Sequence, residues 1–278
     1  MGNPRAFRRS VTGWTLSRNT HYKRFMAKDA EFDLTYPGGK VRLYVEAALG
    51  EDARVVPDEA QAHYMLNVMR AKADDNVRLF NGRDGEWLAS IADVSKRSCT
   101  LVCRKPLAPQ SHVPDIWLVF APIKKTPADY VVQKATELGV RALQPVFTRR
   151  TIVSRVNLER MGANAVEASE QSGRLTVPDI REAVTLEKLL AHWPKERRLF
   201  FCDEAGDAQS AAEAFAGARG TPCAVLSGPE GGFDPAEREA IRRRPFVTAL
   251  TLGQRILRAD TAALAALSVW QALAGDWS

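Results

Sequence analysis

Residues 222–237 read PCAVLSGPEGGFDPAE, and their punctuation decides the architecture. Pro222-Cys223-Ala224-Val225 is an apolar run bounded by turn residues, as a buried strand should be. Asp234, Pro235 and Glu237 are N-cap, N1 and N3 residues of a helix. Between them lies Leu226–Phe233, the densest small-residue stretch of the chain. A glycine loop between strand and helix usually suggests a phosphate cradle. Here Glu230 stands at its centre and would repel a phosphate at close range. A P-loop needs a Lys and a hydroxyl at fixed spacing, and both are missing. A Rossmann fingerprint needs G-x-G-x-x-G in the first βαβ unit. Gly228, Gly231 and Gly232 instead lie late in the chain, and Pro229 interrupts them. Pro229 fixes φ and the glycines permit turns other residues avoid, which exposes backbone groups in a fixed array. Such an array suits a flat heterocycle or a ribose, and Glu230 tolerates a cation. The alternative is a structural turn with Glu230 facing solvent.

Working outward, the chain from Asp115 alternates strands and helices. Strands are expected in IWLVFAPI, RALQPVFT, RRLFFCDE, PCAVLSG and VTALTLG, all apolar runs suited to a buried parallel sheet. One helix is expected from Thr126 to Gly139, with Val131, Ala135 and Leu138 buried. Another starts at Asp234, and the last runs from about Thr261 to Ala274 with Gly275 as its stop. Residues 115–278 therefore read as an α/β domain that binds ligands at the carboxyl ends of its strands.

Residues 41–106 read as a small β-barrel unit. KVRLYVEA alternates, VRLFNGRDGEWLASIADV forms a hairpin about Asn81–Gly85, and SCTLVCRK is a further strand. Between them PDEAQAHYMLNVMRAK is expected to be a helix burying Ala62, Leu66 and Met69. Residues 107–114 are a Pro-bearing linker. Residues 1–40 form a basic, non-periodic leader, read as a disordered extension, with an RNA-touching arm or a presequence as the sharper readings.

The net charge is +6 over 278 residues. Six basic residues and no acid fall within residues 1–25; with those set aside, the 39 Lys and Arg drop to 33, matching 33 Asp and Glu. The body is formally neutral, so any nucleic-acid footprint comes from local placement. Cys99, Cys103, Cys202 and Cys223 fit no zinc spacing, so no metal is expected. Sparse cysteine without a secretory signal points to a cytoplasmic location. No apolar run approaches the length of a membrane helix.

A second loop, LTLGQRILRADTAALAAL, runs from a strand through Gly253 into the last helix, with Arg255 and Arg258 flanking Ile256-Leu257. Two strand-end glycine loops could form two walls of one pocket. Together, LSGPEGGF and LGQRILRADTAALAAL resemble the cofactor signature of the RsmE-type SPOUT methyltransferases. KKTPADYVVQKATELGV, RRTIV, EQSGR, HYMLNVMR and LFNGRDGEWLA resemble the same family, over about residues 41–276. The resemblance implies a knotted parallel-sheet α/β domain preceded by a PUA-like β-barrel, a homodimer, and S-adenosylmethionine as cofactor. It implies methylation of N3 of uridine 1498 in the 16S rRNA of the assembled small ribosomal subunit.

By the same resemblance, Leu226, Gly228, Pro229, Glu230, Gly231, Leu252, Gly253, Ile256, Leu257 and Ala262 hold the cofactor. One departure is Asp260, where the family often has Glu; it keeps charge and can cap the final helix. Uridine N3 must lose its proton before it can be methylated, so the enzyme must favour the uridinate. Arg258 and Arg174 are the catalytic candidates, acting by charge. His63, in the small domain, reads as structural. Arg70, Arg83, Lys96, Arg97, Lys125, Lys134 and Arg150 are candidate RNA contacts. Two other readings stay open: a SPOUT enzyme acting on another RNA, such as a tRNA ribose 2′-O-methyltransferase, and a non-catalytic RNA-binding module.

Overall fold

The strands IWLVF and CAVLS are buried along their whole length because both of their faces are covered. The computed structural model of the protein describes residues 41–95, 97–123, 125–204 and 207–277, with the side chains of 125–127 excepted. The leader 1–40 and Lys96 lie outside the described residues.

The small domain holds β1 (Val41–Tyr44), β2 (Arg54–Val55), α1 (Glu59–His63), β3 (Asn76–Phe80), β4 (Glu86–Ala92) and β5 (Thr100–Ala108). Its sheet order is β1-β3-β4-β5-β2, with β1 parallel to β3 and the other pairs antiparallel. Leu43, Met65, Leu79, Ile91, Leu101 and Cys103 meet in its core. The hairpin turn forms as expected. Gly82 and Gly85 take φ of +80° and +78°. The Asn81 side chain accepts the amides of Arg83 and Asp84 at 3.0 and 2.9 Å. At Gly85 a Cβ would lie 2.3 Å from the Ala108 carbonyl, so no side chain fits there.

The helix after α1 departs from expectation. Asp58 and Gln61 form a capping box. The chain then switches to a π turn over Tyr64–Val68, where the Met69 amide bonds the Tyr64 carbonyl five residues back. The extra residue rotates the following side chains. Ala62 and Met65 are buried, Leu66 is half-buried and Met69 is exposed, so the expected Ala62, Leu66, Met69 face is not the one that packs. β5 also continues through Leu107 and Ala108, two residues into the expected linker.

The second domain holds β6 (Ile116–Phe120), α2 (Lys125–Glu137), β7 (Ala142–Phe147), α3 (Leu158–Ser172), β8 (Asp179–Ile180), β9 (Val184–Thr185), α4 (Leu186–Ala191), β10 (Arg198–Cys202), β11 (Gln209–Ser210), α5 (Ala211–Phe215), β12 (Cys223–Ser227), α6 (Pro235–Arg242), β13 (Val247–Thr251) and α7 (Ala259–Leu273). The sheet order is β11-β13-β10-β12-β6-β7-β8, with β9 also on β7, and every pair is parallel. Parity assigns the faces. Ile116, Leu118 and Phe120 point into a core with Val131, Ala135, Phe215, Ala266 and Trp270. Trp117 and Val119 point into the opposite core, with Leu190, Trp193, Phe201 and Ile241. α7 starts at Ala259, with Arg258 at the N-cap position. Asp260, expected as the cap, is therefore inside the first turn, two residues past it, and accepts the Thr261 amide at 2.7 Å.

Arg42 joins the two domains. α3 ends at Gly173, in the left-handed region at φ +76°, which leaves its last carbonyls without helical partners. Arg42, from β1, donates to the carbonyls of Ser169, Glu170 and Arg174 at 2.7, 3.3 and 2.8 Å. Its Nε binds Glu86 at 2.6 Å, and its guanidinium stacks on Phe80. Alongside, the Glu170 carboxylate accepts the Tyr44 amide at 2.9 Å. Burial pushes the Glu170 carboxyl above its ordinary value, outweighing that bond and the Arg42 charge. A carboxyl raised in the folded state stabilises fully below its unfolded value near 4.3, and that contribution is lost as pH rises through the folded value. Glu170→Gln removes the titration. Urea unfolding should show wild type losing ground against the variant between pH 4 and 7, and a pH-independent difference would refute the assignment.

Candidate functional site

The carboxyl ends of β10, β12 and β13, three neighbours in the sheet, open into a cavity of about 350 Å³. Each wall has a sequence cause. After β12, the Gly232 amide bonds the Pro229 carbonyl at 2.9 Å, closing a tight turn, and Gly232 takes φ +66°. A Cβ on Gly228 would lie 2.5 Å from the Phe233 ring, so glycine lets the loop fold back on that ring. Phe233 in turn packs edge-on against Phe201 of β10, with ring centroids 5.0 Å apart. The N-cap Asp234 accepts the Ala236 amide at 3.0 Å, and Pro235 follows as read from sequence.

The opposite wall is the segment Leu252–Ala259. Gly253 takes φ +104°, and its amide bonds Thr251 Oγ1 at 3.3 Å. Among the described residues, the backbone amides of Gln254 to Leu257 have no hydrogen-bond partner. The Ser227 hydroxyl donates to the Ala259 carbonyl at 3.1 Å, tying the end of β12 to the start of α7.

A salt-bridge cluster forms the third side. Asp203, at the end of β10 and buried, accepts Arg238 Nε at 2.8 Å and Arg242 Nε at 2.7 Å. Both arginines also reach Asp207, at 3.0 and 2.6 Å. Arg238 and Arg242 are four apart on α6, so one carboxylate meets both forks.

Eight of the ten cofactor candidates line the cavity: Gly228, Pro229, Glu230, Leu252, Gly253, Ile256, Leu257 and Ala262. Leu226 and Gly231 do not. Leu226 is buried in β12 within the Trp117 core. Gly231 turns outward, and its carbonyl accepts Arg150 Nη1 at 3.0 Å. Glu204, Arg238 and Arg255 also line the cavity. An acid ending β10 and arginines four apart on α6 were the signals available for this cluster.

Arg258 lies on the cavity wall and is exposed. Arg174 does not reach it. Its guanidinium donates to the Thr136 and Val140 carbonyls at 2.7 and 3.1 Å, so it caps the C-terminal end of α2 from within the chain. Burial lowers its pKa to about 10. The pairing of Arg258 and Arg174 at one catalytic centre is corrected accordingly.

The RNA candidates scatter. Arg70 and Arg97 are exposed in the small domain. Arg83 is exposed too, with Nη2 on the Glu46 carbonyl at 2.9 Å. Lys134 pairs with Glu137 at 2.6 Å. Arg150 stands behind the 226–233 loop. The side chain of Lys125 lies outside the described residues.

Chemically, the cavity presents unspent backbone donors opposite a glycine turn. Among the described residues no lysine lines it, and the one buried carboxylate, Asp203, is already paired. An adenine edge, a ribose and a sulfonium fit these groups, with the Glu204 and Glu230 carboxylates on the same lining.

The comparisons with known proteins agree. A family model described as an RNA methyltransferase domain matches residues 109–271, and one described as an RNA methyltransferase PUA domain matches residues 57–102. The ribosomal RNA small subunit methyltransferase E of Rickettsia conorii is 32% identical over 228 residues, covering 82% of this chain and 93% of that protein. Its counterpart from Synechocystis is 29% identical, covering 84% of this chain and 77% of the relative. The Neisseria gonorrhoeae structure of that name, bound to S-adenosyl methionine, superposes with a TM-score of 0.78 at 28% identity, covering 86% of this chain and 99% of that one. A Legionella pneumophila methyltransferase with the same cofactor bound gives 0.78 at 27%, covering 85% and 98%. With one model matched over more than half its length and a relative matched nearly end to end, the chain belongs to the ribosomal RNA small subunit methyltransferase E family of SPOUT enzymes.

Proposed function

We propose that the chain methylates N3 of uridine 1498 in 16S rRNA, using S-adenosylmethionine. The observation that carries this reading is the row of unpartnered amides at Gln254 to Leu257, in a segment that lines the same cavity as the Gly228–Glu230 turn. Gly228, Leu252, Ile256 and Leu257 would hold adenine and ribose through their backbones, and Glu230 would face the ribose. When bound, the cofactor supplies an electrophilic methyl group. The chain's own part is to place the uracil and favour its anion. Arg258, charged and exposed at the cavity wall, would stabilise the negative charge left on O2 and O4 as the N3 proton departs to solvent. Arg70, Arg83, Arg97 and Arg150 would position the RNA through phosphates.

The assembled small subunit as substrate, a homodimer, a trefoil knot about the cofactor loops and a cytoplasmic location belong to the same proposal. Exposed Leu273 at the end of the last helix, Trp277 beyond it, and Tyr130 on α2 support a dimer face. Among the described residues no helix is long and apolar enough to cross a membrane.

Tritiated S-adenosylmethionine, offered with undermethylated small subunits, free 16S RNA and tRNA, tests the reading. Label is expected in the small subunit, at N3 of one uridine. Label in tRNA alone would transfer the chemistry to another RNA. No label anywhere, with no cofactor binding by calorimetry, would leave a non-catalytic module.

A further inference from the structure

A second and larger cavity, about 670 Å³, opens at the other end of the parallel sheet. It is lined where strands begin: Asp115 precedes β6, Ala142 opens β7, Asp179 opens β8 and Arg197 precedes β10. His112 and Val113, from the segment joining the domains, complete one side. The cofactor cavity lies past the ends of β10, β12 and β13, so each cavity has its own edge of the sheet.

Charge is the distinctive feature. Four arginines line this cavity, Arg141, Arg174, Arg181 and Arg197, against two carboxylates, Asp115 and Asp179. The wall is rigid. Arg197 is fixed by Nη2, which donates to both Asp115 carboxylate oxygens at 2.9 and 2.8 Å, and by Nη1, which donates to the Cys223 carbonyl at 2.8 Å. Trp117, 7% exposed, carries the guanidinium carbons of both Arg181 and Arg197 at 3.8 Å from its ring. Donors outnumber acceptors: Nε of Arg174 and Nε of Arg197 are buried without a hydrogen-bond partner.

Two arginines keep accessible donors. The nearest carboxylate oxygen to Arg141 is Asp115 Oδ2 at 3.9 Å, beyond hydrogen-bond reach and already committed to Arg197. The Arg141 side chain is 64% exposed. Arg181 uses its Nε on Asp179 at 3.1 Å, which leaves its terminal amino groups free. A planar fork on a stacked, preorganised guanidinium matches phosphate oxygens better than a lone ammonium would. The excess of two positive charges among the lining residues equals the charge of one phosphoryl dianion.

We propose that this cavity is an anion site for a phosphoryl group, bound between Arg141 and Arg181 over the Trp117 wall. The group comes from an RNA backbone or from a free nucleotide; the chemistry is shared. The proposal does not rest on the methyl-transfer reading, because no cofactor candidate lines this cavity.

The test is calorimetric titration of the full chain with inorganic phosphate, adenosine 5′-monophosphate and an unstructured RNA 12-mer lacking terminal phosphates. Wild type is compared with Arg141→Gln and Arg141→Gln/Arg181→Gln. Arg141 is exposed, so the single variant keeps the fold, which thermal melting and an unchanged affinity for S-adenosylmethionine verify. At least one probe should bind wild type and lose about tenfold in affinity in the single variant, as expected for one charge-assisted contact. Loss confined to the RNA assigns a backbone phosphate, and loss for the mononucleotide and inorganic phosphate assigns a free nucleotide. Failure of every probe to bind, or equal binding within twofold by wild type and the single variant, overturns the site, whatever the methylation assay gives.

Discussion

Gly228→Val is expected to weaken S-adenosylmethionine binding by about a hundredfold or more while the chain stays folded. Already the Cβ of any substituent lies 2.5 Å from the Phe233 ring. That ring cannot simply swing back, because Phe201 holds it edge-on at 5.0 Å. Either the ring moves into the cavity or the 228–232 turn lifts away from it. Overpacking of this kind costs about 1–3 kcal/mol, and the upper part of that range corresponds to the expected hundredfold. Gly228→Ala meets the same ring without the branched methyls and should lose less. Calorimetry with the cofactor and a thermal melt decide it. Unchanged affinity in both variants, with melting preserved, would remove this turn from the binding site. A collapsed melt in the valine variant leaves the decision to the alanine one.

The parts of this molecule that were readable from sequence share one property: their local pattern and tertiary role coincide. The strands IWLVF and CAVLS are continuous apolar runs, and both are buried on two faces. The start of α6 was readable because Asp234, Pro235 and Glu237 satisfy the same helix end locally and in the folded chain. Legibility fails where a residue acts at a distance. Arg42 sits in the alternating stretch VRLYV and has the pattern of a solvent-facing strand residue. Its carbonyl partners lie more than 120 residues away, at a helix end whose carbonyls no local pattern reveals. Arg174 suffers the reverse error: a basic residue beside a glycine invites a catalytic reading, yet its donors serve the α2 terminus. The π turn at Tyr64–Val68 escapes because apolar periodicity reports face, and one inserted residue shifts the face without changing composition. In the site, glycine turns and caps are local and were found. The Asp203, Arg238, Arg242 cluster joins a strand end to a helix about 35 residues on and was not.

Arg42→Ala carries the largest expected loss of stability, about 3–5 kcal/mol, because it strips the partner from a buried charge and strands several buried acceptors at once. Glu86 would keep only Arg78, 3.9 Å away. The carbonyls of Ser169, Glu170 and Arg174 would lose their donor at the end of α3, the Ser169 carbonyl in a buried position. A drop in Tm of about 10 °C follows for a chain of this size. The variant also separates two functions. The cofactor cavity is built from β10, β12, β13 and α7, none of which touches Arg42, so S-adenosylmethionine affinity should survive below the new melting point. RNA methylation should fall further than stability alone explains, because β1 and α3 lose the clamp that fixes one domain's register on the other. Arg42→Lys is the discriminating control. An ammonium keeps the charge beside Glu86 but cannot span three carbonyls with a planar fork, so it should recover less than half of the lost stability. Full recovery by lysine would mean that charge pairing alone holds the seam, and would refute the helix-capping account of Arg42.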